Sequence, residues 1–80
     1  MKAQVIVKLK EGVLDPQGQA IQRSLSRMGH RDLTEVRQGK YFELEFDDDD
    51  PEAVKRLTEE IARDILSNPL IESFEIQEIQ

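Results

Sequence analysis

The chain contains no cysteine, a single histidine and few aromatics: one tyrosine and three phenylalanines in 80 residues. Without cysteine there is no disulfide framework and no thiolate metal site, which permits a reducing compartment without requiring one. No apolar run reaches membrane length, and no signal-type apolar stretch follows Met1-Lys2-Ala3-Gln4. The expectation is a soluble, unprocessed, cytoplasmic protein with no membrane partner. Cations are scarce, with 11 Lys and Arg against 17 Asp and Glu, a net charge of −6. Phosphate contacts need a basic patch, so nucleic acid is disfavoured as a partner. The chain is also short. It reads as one domain, 1–80, burying only about 60% of its unfolded surface. Without disulfides or metal, such a fold gains from oligomerisation.

What is present is strong periodicity. Ala3, Val5, Val7 and Leu9 alternate with Gln4, Ile6, Lys8 and Lys10, the period of a half-buried strand. Gly12 punctuates the chain. Asp15-Pro16 reads as an N-cap and first helical residue, because a proline there lacks only an N–H that would be unbonded anyway. Ile21, Leu25 and Met28 form an apolar helix stripe, and Gly29 suits a left-handed stop. A second β region spans 33–46. Leu33 to Arg37 leads to a tight hairpin at Gln38-Gly39, and Phe42, Leu44 and Phe46 then alternate with Tyr41, Glu43 and Glu45. Asp50 caps and Pro51 opens a second helix, whose buried stripe is Val54, Leu57, Ile61, Ile65 and Leu66. Asn68-Pro69 ends it, and residues 70–79 alternate again with Phe74 and Ile76 as core. The order βαββαβ, with right-handed crossovers, predicts an α+β fold. It is a ferredoxin-like two-layer sandwich with both helices on one sheet face. Strands exchanged or paired between subunits satisfy the same pattern.

The second sheet face would carry Ile6, Lys8, Lys10, Tyr41, Glu43, Glu45, Ile71 and Glu75. Lys8 and Lys10 could oppose glutamates across strands, at about 0.2–1 kcal/mol per pair. Antiparallel sheets tolerate one wet face. Ile6, Tyr41 and Ile71 instead suggest an oligomer interface, which a small core would reward.

The search for chemistry returns little. His30 follows Gly29 at a helix end with Asp32 nearby but no nucleophile in view, so it reads as a complement to the helix dipole. Asp47 to Asp50 are consecutive, project in different directions and lack a turning glycine, unlike a spaced calcium loop. Gly12, Gly18, Gly29 and Gly39 match neither phosphate-binding glycine pattern. Gly18 inside a first helical turn costs propensity, which close approach of another backbone or an interface could justify. An RNA-recognition motif would need aromatics where Lys8, Glu43 and Glu45 stand. A ferredoxin-like domain that binds small ligands at subunit interfaces remains an alternative.

Three ordered segments carry a family resemblance. They are Leu9 to Ile21 with Gly12-Val13-Leu14-Asp15-Pro16-Gln17-Gly18 at its centre, Val36-Arg37-Gln38-Gly39-Lys40 with Glu43-Leu44, and Leu66, Asn68-Pro69, Ile71-Glu72 with Phe74. Together they resemble the small S subunit of phosphoribosylformylglycinamidine synthase, the PurS family. The resemblance implies a non-catalytic subunit of a glutamine-dependent ligase of purine biosynthesis, an oligomer that bridges a glutaminase and an ATP-using synthetase and helps ammonia pass between them. It implies a dimer or tetramer, with ATP and Mg²⁺ used by the synthetase and no cofactor, metal or catalytic residue in this chain. Interface roles fall on Asp15, Pro16, Gln17 and Gly18 in the first turn. Arg37 and Lys40 are expected at a basic hairpin tip.

Overall fold

A computed structural model describes residues 1–80. The chain forms β1 (Lys2–Leu9), α1 (Pro16–Arg27), β2 (Gly39–Glu45), α2 (Pro51–Ile61) and β3 (Glu72–Ile79). The strands make one antiparallel sheet in the order β2-β1-β3. Both expected prolines open helices. The Asp15 carboxylate accepts from Gly18 N at 2.9 Å and the Asp50 carboxylate from Glu52 N at 3.1 Å, so each caps orphan donors of a first turn. Gly29, at φ +102°, ends α1. Gly29 N reaches Ser26 O and His30 N reaches Leu25 O, the paired bonds of a left-handed glycine stop.

The alternation of β1 puts Ala3, Val5 and Val7 on the face that α2 covers, where all three are buried. Phe42, Leu44, Phe74 and Ile76 flank them. The row that meets this face is Val54 and Thr58 of α2 with Ala62 just after it, spaced by four and fully buried. Small side chains let the helix lie close to the sheet, and the Thr58 hydroxyl is satisfied by Val54 O at 2.7 Å. Two positions expected in the buried stripe lie outward instead. Leu57 sits at the margin, and Ile65 is 77% exposed. After Ile61 the helix widens into a π turn over Ala62–Leu66, with Ser67 N bonded to Ala62 O at 3.0 Å. That i→i+5 step inserts one residue into the loop. Leu66 takes the place facing the core and Ile65 is turned to solvent.

The two-layer α+β ferredoxin-like class holds, with three strands rather than four. Leu33 to Arg37 are not a strand of the sheet, and Gln38-Gly39 is not a hairpin. The chain comes off α1, runs back along it and enters β2 directly. The missing strand is the one that would flank β2, so the outer edge of β2 is unpaired. Nor does α1 pack broadly on the sheet; Gln17, Gly18 and Gln22 of the helix meet Gln38, Val36 and Thr34 of the segment that follows it. The radius of gyration is 16.0 Å, where a compact chain of this length has about 12 Å. The long axis is 49 Å. An eight-residue strand and a twelve-residue helix give about 27 and 18 Å, so sheet and α1 lie end to end, not one above the other. Only eight residues of 80 are buried, and every large side chain around Val5 and Val7 keeps part of its surface in solvent.

Candidate subunit interface

The junction between sheet and α1 brings together most of the residues singled out from the sequence. Asp15, at 5% exposure, is its centre. One carboxylate oxygen caps α1 and the other accepts from Gln38 N at 2.7 Å. The hydrogen bond from Gln38, then that from Gly18, holds the Asp15 carboxyl below the usual carboxylate range; burial opposes this, and the Arg37 guanidinium adds to it. Gln17 accepts from the Gln38 side chain at 2.6 Å. Arg37 donates to Val13 O at 3.0 Å and to Lys10 O at 3.2 Å. Pro16, Gln17 and Lys40 border a cleft of about 350 Å³ whose far side is Glu72, 3.7 Å from the Lys40 ammonium.

Gly18 has a physical reason here. The Val36 carbonyl crosses directly over it, and a Cβ would collide with that oxygen while also meeting Asp15 Oδ2 at 2.8 Å. This is the close backbone approach that a glycine in a first helical turn invites.

The basic hairpin tip does not form. Arg37 is turned inward onto the carbonyls of the 10–13 turn, and Lys40 is already within β2. These ties account for the missing hairpin. A tight turn at 38–39 would pull Gln38 N from Asp15 and Arg37 from its two carbonyls. Gln38 and Val36 are not among the residues given an interface role from the sequence; they stand in a segment that carries the family resemblance, and the cost of Gly18 in its helix announced a close neighbour without naming it.

The open sheet face differs from expectation in its ion pairs. Lys8 stands opposite Gly39 and Ser73 rather than glutamates, and Lys10 donates to Pro69 O at 2.7 Å. The cross-strand pair is Lys2 with Glu43 at 3.1 Å, which raises the Lys2 ammonium above its usual value. Ile6 and Tyr41 are direct partners across β1 and β2 on this face. Ile71 precedes β3 and remains exposed, with its carbonyl accepting from Lys10 N at 2.8 Å. The nine candidate residues thus divide between the junction and the open face. The largest hollow, about 690 Å³, lies elsewhere, at the Gly29 turn beside His30 and Asp32, and is open to solvent. No helix is long and apolar enough to cross a membrane.

Known proteins match this chain along nearly its whole length. The family model described as PurS, phosphoribosylformylglycinamidine (FGAM) synthase, matches residues 2–80. The phosphoribosylformylglycinamidine synthase subunit PurS of Mycobacterium leprae is 48% identical over 77 residues, covering 94% of this chain and 91% of that protein. The PurS subunit of Methanocaldococcus jannaschii is 41% identical over 76 residues, 95% of this chain and 92% of its own. Its crystal structure, described as one subunit of formylglycinamide ribonucleotide amidotransferase, superposes with a TM-score of 0.83. A chain of the PurLQS structure from Thermotoga maritima gives a TM-score of 0.83 at 25% identity, covering 99% of both chains.

Proposed function

The chain belongs to the PurS family of phosphoribosylformylglycinamidine synthase subunits, and from that premise we propose that it works as the assembly subunit of the enzyme. It is then part of a glutamine-dependent ligase of purine biosynthesis and has no turnover of its own. It associates with itself as a dimer or tetramer and bridges the synthetase and glutaminase subunits, an arrangement supported by the likeness to a chain of PurLQS. ATP and Mg²⁺ act on the synthetase, ammonia travels from glutaminase to synthetase with this chain's help, and the whole works in the cytoplasm.

The observation that carries the assembly reading is the unfinished core. Eight buried residues and an uncovered α1 leave apolar surface that an isolated 80-residue chain cannot afford. A subunit built to be completed by others has that character. The decisive experiment is glutamine-dependent amidine formation by purified synthetase and glutaminase, with and without this chain. Activity that appears on its addition is the expected result. Unchanged activity with folded cognate partners would refute the reading.

A further inference from the structure

We propose, resting on the assembly reading above, that the outward side of α1 is the docking surface for the glutaminase subunit, and that it binds a row of carboxylates there. Arg23 and Arg27 carry the contact, with Arg31 extending it past the helix end.

Charge is segregated in this chain. Residues 16–31 hold those three arginines and no Asp or Glu. The other 64 residues hold eight Lys and Arg against all 17 carboxylates. The four ion pairs of the structure are Lys2–Glu43, Arg37–Glu35, Lys40–Glu72 and Arg63–Asp64, so none satisfies α1. Arg23, Arg27 and Arg31 are all exposed. The second helix is built differently. On α2, Lys55 has Glu59 and Arg56 has both Glu52 and Glu60 one turn away, the spacing at which opposite charges support a helix. On α1, Arg23 and Arg27 stand one turn from each other, where like charges repel. The Arg27 Nε donates to Arg23 O at 3.4 Å instead of meeting an acid. Arg27 lies in the last turn and suits the helix dipole; Arg23, in the middle of the helix, has no such reason.

Helical spacing sets Arg23 and Arg27 on the side away from Ile21, Leu25 and Met28. That side faces solvent however the apolar side is covered. A shallow groove of about 470 Å³ is bordered by Gln22, Arg23, Ser26 and Arg27. Guanidinium forks match carboxylates bidentately, and the Ser26 hydroxyl adds a neutral hydrogen-bonding group. Other anions fit less well. The acidic remainder of the chain repels nucleic acid, and three cations fall short of the roughly 4–8 of a lipid-binding cluster. Between the two larger subunits, the charges of the substrates decide. A synthetase that collects ATP and a phosphorylated ribonucleotide is served by a positive field, which a carboxylate row on its surface opposes. Glutamine carries no net charge, so the glutaminase bears such a row without that conflict.

The chain has no cysteine, so Ser26→Cys places a single photo-crosslinker at the groove. In the assembled three-subunit complex the expected adduct, identified by mass, is with the glutaminase. An adduct with the synthetase or with a second copy would overturn the proposal, as would none. The second measurement titrates this chain into synthetase and glutaminase and reads the half-saturating concentration for glutamine-dependent turnover. Arg23→Glu/Arg27→Glu should raise it about tenfold or more, with unchanged maximal turnover and a weaker salt dependence than the parent. Arg23→Gln/Arg27→Gln guards against misfolding. It removes a repulsive pair, so the isolated chain should keep its mass and melt no lower, yet still need more protein to saturate. Lys55→Gln/Arg56→Gln removes the same charge from α2 and should leave saturation unmoved; equal losses would reduce the effect to net charge and overturn the local surface. A lowered mass of the isolated Gln variant would assign the arginines to self-pairing and overturn the docking. If the parent supports no turnover, the ligase reading fails; if the parent is active and the arginine variants match it, only this proposal fails.

Discussion

Gly18→Ala separates two physical accounts by sign. In a helix considered alone, replacing glycine by alanine gains about 1 kcal/mol, because glycine surrenders more backbone freedom. At this site the new Cβ meets the Val36 carbonyl, with Asp15 Oδ2 2.8 Å away and Asp15 Cγ 3.0 Å away. The first obstacle is backbone, which yields less readily than a flexible side chain. Overpacking of this kind costs typically about 1–3 kcal/mol. With the carbonyl fixed between Thr34 and Gln38, both held by hydrogen bonds, the upper end applies. The net effect is a loss of about 2 kcal/mol once the propensity gain is subtracted. For a chain of this size each kcal/mol moves the melting point by about 4–8 °C, so a drop of roughly 8–16 °C follows. The assay is thermal unfolding by circular dichroism at one fixed protein concentration, since self-association makes Tm concentration-dependent. Gln19→Ala, next along the helix and exposed, is the control and should stay within about 0.5 kcal/mol. A Gly18→Ala protein that melts higher than the parent would refute the crossing of Val36 over α1.

Asp15 predicts an acid limb: its carboxyl is held low in the folded state, so its stabilisation is present above the unfolded value of about 3.9 and is lost as pH falls through the folded value. Denaturant titrations across pH 2 to 7 should show that loss in the parent and a flatter limb in Asp15→Asn, which is also weaker at neutral pH because its amide cannot accept from both Gly18 and Gln38; coincident pH profiles would refute the assignment. Ile65→Ala should change stability by less than about 0.5 kcal/mol while Leu66→Ala costs about 2 kcal/mol, since the π turn gives Leu66 the core position. Equal costs in chemical denaturation would mean that the helix continues without the π turn.

Much of the fold was legible because its signals are local. The alternation of Ala3, Val5 and Val7 chose the buried face of β1, and the two Asp-Pro pairs set the starts of both helices, since a cap and its donors lie within three residues of each other. The resemblance, too, rested on ordered short segments, and it led to the right family. Asp15, Pro16, Gln17 and Gly18 gathered at one junction because a turn and its contacts share sequence neighbours.

What the tertiary structure decided depends on partners distant along the chain. Gln38-Gly39 has the composition of a hairpin, yet Gln38 N is taken by Asp15, 23 residues earlier. Arg37 looks like a surface cation and is instead spent on the Val13 and Lys10 carbonyls. Ile65 and Leu66 have equal claims to the core on a helical wheel, and the π turn that ends at the Ser67 N–Ala62 O bond separates them. Periodicity specifies that α1 has an apolar side, but not where the helix lies. The ties at Asp15, Gln17 and Arg37 hold it out along the sheet axis and off the chain's own sheet.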